Sequence, residues 1–204
     1  MDNAVTLVQA YLRLNGYFTV TEFPIVEAIG RGGHRTATDI DVLAFRFSGA
    51  GRLVPQKGKS ANKDRLIANI DPALGIAVHE ADMIIGEVKE GKAQINRGGR
   101  DPAVLRAALV RFGCCHENSV ASIVESLIRH GHAQTEHGHT IRLVAFGSVL
   151  PETNPGYHTV GLGHIFEFAK AFLIENWEVF RVIEFKDPAL GFLSTMIKSS
   201  KAQK

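Results

Sequence analysis

Apolar positions recur at helical spacing over residues 2–15, where Val5, Val8 and Leu12 share one face, Leu7, Tyr11 and Leu14 lie beside it, and Asn15-Gly16 supplies a stop. Over 17–28 the pattern changes to alternation, Phe18, Val20 and Glu22 against Thr19, Thr21 and Phe23, which predicts a strand; Pro24 puts it at a sheet edge, leading into a mobile loop. Residues 38–47 are β-branched and aromatic and open with two acids, Asp39 and Asp41, so they read as a second strand that Asp41 begins. The run Met83-Ile84-Ile85 with Val88 predicts a central strand covered on both faces and ended by Gly91. Two helices follow. The first is capped by Asp101-Pro102 and stopped by Gly113, the second capped by Asn118 and stopped by Gly131. Crossover helices over a sheet fit this pattern, and so does a helix-turn-helix; the first is preferred. A strand over 141–146, a helix over 161–176 and a last helix from Asp187-Pro188 to Ile197 complete the reading, with a frayed tail over 199–204. Residues 177–185 fit either a strand or an extension of the preceding helix, and within 64–80 only Asp71-Pro72 signals a short helical turn.

Charge enters this pattern at one place above all. In Asp82-Met83-Ile84-Ile85-Gly86-Glu87-Val88-Lys89 the apolar run ends in residues of opposite sign, and strand alternation sends Glu87 and Lys89 to one face and Val88 to the other. A charge at the end of a buried strand is costly unless it is paired or holds a metal. If the strand of Asp41 is the neighbour, Asp41, Glu87 and Lys89 converge, and two carboxylates beside an ammonium suit magnesium with its retained waters. Such an ion lowers the pKa of bound water and stabilises phosphoryl charge, and the lysine orients the water. A buried structural ion pair between Glu87 and Lys89 is the competing explanation.

An initial helix, a strand, a strand with Asp41 and a strand with Glu87-Val88-Lys89 resemble the PD-(D/E)xK, or restriction-endonuclease-like, nucleases. The resemblance covers roughly the first half of the chain. It implies an α/β fold, a restriction-endonuclease-like core with a mixed central β-sheet flanked by α-helices. It implies catalytic roles for Asp41, Glu87 and Lys89 and metal ligation by Asp41, Glu87 and the Val88 carbonyl, with magnesium as cofactor and manganese as a substitute. Thr38-Asp39 stands where the family pattern has Pro-Asp, and the first helix lacks the acid of some members, for which Glu22 or Glu27 would substitute. Gln94 matches the polar residue that many members carry after the lysine, against the plainer reading of a surface amide. The implied activity is hydrolysis of phosphodiester bonds, most simply in DNA, with a homodimer as one way to cut both strands.

The basic residues are placed compatibly. Arg31-Gly32-Gly33-His34-Arg35 is either a phosphate-approaching loop or a plain hairpin turn, and Arg52, Lys57 and Lys59 lie in a glycine-rich stretch over 48–62 expected to order on a phosphate backbone. Overall charge adds little: the formal net charge is +2. The 204 residues, 45% hydrophobic and 22% charged, suit one domain, with a core over about 1–150 and a helical extension over about 161–198. Absence of an apolar run near ~20 residues argues against a membrane partner, and Cys114-Cys115 as the only cysteines suggests a reducing, cytoplasmic setting. Two other function classes stay open. One is a catalytically silent nucleic-acid-binding or assembly protein on the same fold. The other is a zinc-dependent hydrolase built on His130, His132, His137 and His139, although their i, i+2 pairs match no established zinc spacing.

Overall fold

A computed structural model describes residues 2–57, 64–67 and 70–202, without the side chains of Arg31, Lys201 and Ala202. Asp2 opens the first helix by accepting the Ala4 N–H at 2.9 Å, and α1 (Asn3–Leu14) ends at Asn15 and Gly16, the latter at φ 85°. β1 (Phe18–Ile29) and β2 (Gly33–Arg46) then form one long antiparallel hairpin around a 3-10 turn, Gly30–Gly32. The predicted mobile loop is therefore a tight turn, and Asp41 lies well inside β2 rather than at its start. Pro24 is accommodated because β1 is the edge strand of the sheet among the described residues.

β3 (Arg52–Val54) and β4 (Arg65–Ile67) pair with each other, so the stretch expected to order only on a ligand is in part a small hairpin. A 3-10 turn, Pro72–Leu74, is capped by Asp71 as its sequence predicts. β5 (Asp82–Lys92) runs through Gly91 instead of ending there; the glycine falls in a register shift between Lys89 and Lys92. After a 3-10 turn, Gly98–Arg100, come α2 (Pro102–Phe112) and α3 (Glu117–His130), both stopped by left-handed glycines. The N-cap of α3 is His116, two residues before Asn118, and Glu136 reaches across to accept the His116 N–H. β6 (His132–Gln134), β7 (Thr140–Val149) and β8 (His158–Gly161) follow, then α4 (Leu162–Glu175), the short α5 (Trp177–Phe180) and α6 (Pro188–Ala202). Residues 177–180 are thus helical, and the expected frayed tail continues α6 as far as Ala202.

The main sheet is mixed, in the order β1-β2-β5-β7, with β6 and β8 end to end along the far edge of β7. β5 and β7 are parallel, and α2 and α3 form the crossover between them. One face packs Leu43, Ile85 and Leu143 against Leu105, Leu109, Ile123 and Leu127 of these helices. The other packs Val42, Ile84, Val144 and Phe146 against Val8 and Leu12 of α1 and Ile165 of α4. Behind α1 and α4 lies a third cluster, with Leu190 and Leu193 of α6 and Phe180. Among the described residues no helix is long and apolar enough to cross a membrane.

Gly147 fixes how the chain leaves β5. The Ala93 N–H donates to the Val149 carbonyl at 2.8 Å, and a Cβ on Gly147 would lie 2.4 Å from that nitrogen. Gly147→Ala should destabilise by about 1–3 kcal/mol, the usual range for overpacking. A lower urea midpoint at unchanged slope would show it.

Candidate metal centre

The β2–β5 ladder runs from Arg46 opposite Asp82 to Val42 opposite Gly86, and there the strands part. The next residue on each strand is an acid, Asp41 and Glu87, and Glu87 turns to the face where Asn96, just before α2, meets it. Asp41 Oδ2 accepts the Val88 N–H at 2.7 Å, replacing the main-chain acceptor that a continued ladder would have supplied. A strand residue turns its N–H and C=O to the same edge, so the Val88 carbonyl faces this opening too. Gly86 permits the close approach before the fork: a Cβ there would stand 3.2 Å from the Phe146 ring and 3.4 Å from Val42. Opposite Asp41 on the outer strand, Glu22 holds a left-handed φ of 52°, a strained value for a non-glycine residue beside the fork.

Glu87 is only 5% exposed, so its charge needs partners. Its Oε1 receives Lys89 Nζ at 2.5 Å and Asn96 Nδ2 at 2.7 Å. Asn96 Oδ1 in turn accepts the Gly99 N–H at 2.6 Å, which folds the Gly98–Arg100 turn over the acid. Both glycines sit close to this network: a Cβ on Gly98 would stand 3.4 Å from Thr38 Oγ1, and one on Gly99 3.3 Å from Glu87 Oε2. Burial, together with the charge of Asp41, raises the pKa of Glu87 despite Lys89 and Asn96. Lys89 is held above the ordinary lysine value: its burial acts the other way, but Glu87, Asp41 and Asp2 outweigh it. Two acids close enough to oppose each other's ionisation attract a cation. Asp39, Ile40, Ile85, Ile95 and Gly99 line the narrow crevice beside Glu87.

The donors at this opening are all hard oxygens, the class that magnesium takes. Asp41 keeps one oxygen beyond its bond to Val88, Glu87 keeps Oε2 beyond its bonds to Lys89 and Asn96, and the Val88 carbonyl adds a third hard oxygen. Space at Glu87 Oε2 exists because position 99 carries no side chain.

The other candidate residues are distributed unevenly. Gln94 is exposed, and the amide that bonds Glu87 belongs to Asn96. Glu27 pairs with Arg35 at 2.6 Å on the hairpin where it extends past the fork as a two-stranded arm. Arg31 lies at the tip of that arm, its side chain outside the described residues. Arg52 and Lys57 are not brought to the fork. They follow the Arg46 end of β2, about 17 Å along the strand from Asp41 at ~3.3 Å per residue. Arg52 there lies over the Phe180 ring at 5.3 Å. Lys59 is outside the described residues. His130, His132, His137 and His139 do not converge: His130 and His132 rings are 6.4 Å apart, His137 and His139 rings 6.2 Å, and no three of the four bring donor atoms within 4.8 Å of one another. Both cysteines are free, and burial pushes the Cys114 thiol up to about 12, far from a nucleophile's range.

Set beside known protein families, curated proteins and solved structures, the chain matches none. Its chemistry must be argued from its own geometry.

Proposed function

We propose that this protein is a magnesium-dependent nuclease of restriction-endonuclease-like type, hydrolysing phosphodiester bonds in DNA. The observation that carries the reading is the end of the β2–β5 ladder, where Asp41 accepts the Val88 N–H, the buried Glu87 holds Lys89, and the charge of Asp41 is near enough to raise the pKa of Glu87. An ion pair alone accounts for Glu87 and Lys89, and the bond to Val88 gives Asp41 a use in the sheet, so the charge of Asp41 is what the nuclease reading adds. When bound, the divalent ion lowers the pKa of a coordinated water and neutralises charge on the phosphoryl oxygens. Asp41, Glu87 and the Val88 carbonyl hold it. Lys89 orients the attacking water in line with the scissile bond, and its proton is kept on Nζ by the two carboxylates. Asn96 fixes the rotamer of Glu87 so that Oε2 remains available.

The test is a cleavage assay on duplex, branched and single-stranded DNA with magnesium, manganese, calcium or chelator. Cutting in magnesium or manganese that stops in chelator supports the proposal. DNA binding without cutting under all conditions favours a silent binding protein.

Phosphate contacts belong on the arm side of the fork. Arg35 lies on the arm, about 20 Å along β2 from Asp41 at ~3.3 Å per residue, and Arg97 stands beside the Gly98–Arg100 turn that covers Glu87; both are exposed, whereas Arg52 and Lys57 follow the opposite end of β2. Arg35→Ala with Arg97→Ala should make log K less steep in log salt by up to ~0.9 per lost phosphate contact, and Arg52→Ala with Lys57→Ala should leave the slope unchanged. Titrations at several salt concentrations decide it; the reverse pattern would move the interface to the β3–β4 end.

A further inference from the structure

Among the described residues one group of three metal-binding side chains brings its ligand atoms within 4.8 Å of one another: His116, Glu136 and His137. We propose that these three form a zinc site, distinct from the Asp41–Glu87 fork, which clasps the start of α3 to the turn between β6 and β7.

The donor set argues for the metal class. Two imidazoles and one carboxylate with an open fourth position suit zinc and neighbouring first-row ions, while magnesium prefers oxygen throughout. The supporting elements are rigid. His116 sits at the N-cap of α3, and the turn is closed by Thr135, whose N–H donates to the His139 carbonyl at 2.9 Å and whose hydroxyl accepts the His139 N–H at 3.2 Å. Gly138 completes the turn at φ 74°. Glu136 is already drawn to His116, whose N–H donates to Oε1 and whose Nε2 lies 3.8 Å from the same oxygen. The two imidazole rings are 5.5 Å apart and steeply inclined, so neither stacks on the other. Tetrahedral ligands at ~2.0–2.2 Å stand about 3.3 Å apart, so the donors must close by an ångström or so. All three side chains are exposed and can rotate without disturbing the core.

The place of the cluster separates it from the fork. Thr140, just after the turn, is opposite Asp82, whereas Glu87 is opposite Ala145. The two sites are at opposite ends of β5 and β7, roughly 17 Å apart along the strands. Zinc at the turn would add a cross-link between elements now joined mainly through Glu136. His137 also lines the rim of an apolar cavity of about 530 Å³ walled by Phe18, Phe45, Phe47 and Phe112, so the clasp would stiffen that rim.

Glu136 has a structural use without metal, because it caps α3, so the test must isolate the metal-dependent part. Chelator-treated protein is titrated with zinc against a chromophoric chelator, cobalt(II) is added to report coordination by its visible spectrum, and the melting temperature is followed with and without zinc. The proposal expects one zinc per chain, a cobalt spectrum with nitrogen ligation, and a zinc-dependent rise of several degrees. His116→Ala with His137→Ala should abolish all three while melting like the wild type in chelator. Asp41→Asn should leave them intact, whether or not the fork cuts DNA. Failure of zinc to saturate at one per chain, or undiminished binding by the double variant, overturns the proposal.

Discussion

Asp41→Asn protein should cut DNA at least ~10²-fold more slowly than wild type in magnesium, the scale seen when one electrostatic contributor to a transition state is removed. The substitution isolates charge from shape. Asn retains an oxygen that accepts the Val88 N–H, now made by Asp41 Oδ2 at 2.7 Å, so the end of the β2–β5 ladder remains closed. It removes the negative charge that opposes Glu87 ionisation and draws a cation to the fork. The melting temperature should change little, and DNA affinity measured in calcium should hold. Lys89→Ala should also cripple turnover, but with metal affinity kept or raised, since a positive charge has left the site. Wild-type cleavage by purified Asp41→Asn would end the nuclease proposal. Loss of folding by the same variant would instead assign Asp41 to the sheet.

Arg142→Ala should lower stability by about 3–5 kcal/mol, the range for removing one partner of a buried ion pair. Arg142 clasps Asp82 with two bonds, Nε to Oδ1 at 2.7 Å and Nη2 to Oδ2 at 2.8 Å, and its Nη1 donates to the Leu74 carbonyl at 2.7 Å. Tyr17 donates its hydroxyl to Asp82 Oδ2 at 2.6 Å, and burial together with that carboxylate pushes the phenol far above its ordinary pKa. Asp82 is fully buried, so the variant leaves a carboxylate whose main counter-charge is gone. Denaturant unfolding at neutral pH measures the loss. Acidification should recover part of it, because protonation neutralises the charge left unpaired in the interior. A change below about 1 kcal/mol would mean that water replaces the guanidinium.

The pairing of Glu87 with Lys89 is legible in the sequence because residues two apart on a strand share a face. Layering is legible too: Val104, Leu105, Ala108 and Leu109 mark one face of α2, and capping residues mark its ends. What escapes the sequence depends on long-range approach. Asn96 rather than Gln94 meets Glu87 because Gly147 lets the chain pass tightly over β7, a contact between residues more than fifty positions apart. Arg52 and Lys57 follow the Asp41 strand in sequence but not in space, since β2 carries the chain to its opposite end before they occur. β6 and β8 are too short for alternation to show. His116 is twenty positions from Glu136, and nothing in either's local context points to the other.

Alternation along β5 has one more result. Asp82 and Glu87 are an odd number of residues apart, so they occupy opposite sides of the sheet: Asp82 meets Tyr17 and Arg142 beneath α1, and Glu87 meets Asn96 on the α2 side. Were β5 to slip by one residue against its neighbours, Glu87 would leave the fork, and at the same moment Asp82 would leave Arg142 facing an apolar side chain. A slipped, inactive sheet therefore carries an unpaired arginine in its interior, a penalty large enough to drive the chain back into phase. The ion pair at one end of the strand thus acts as a proofreader of the acid at the other.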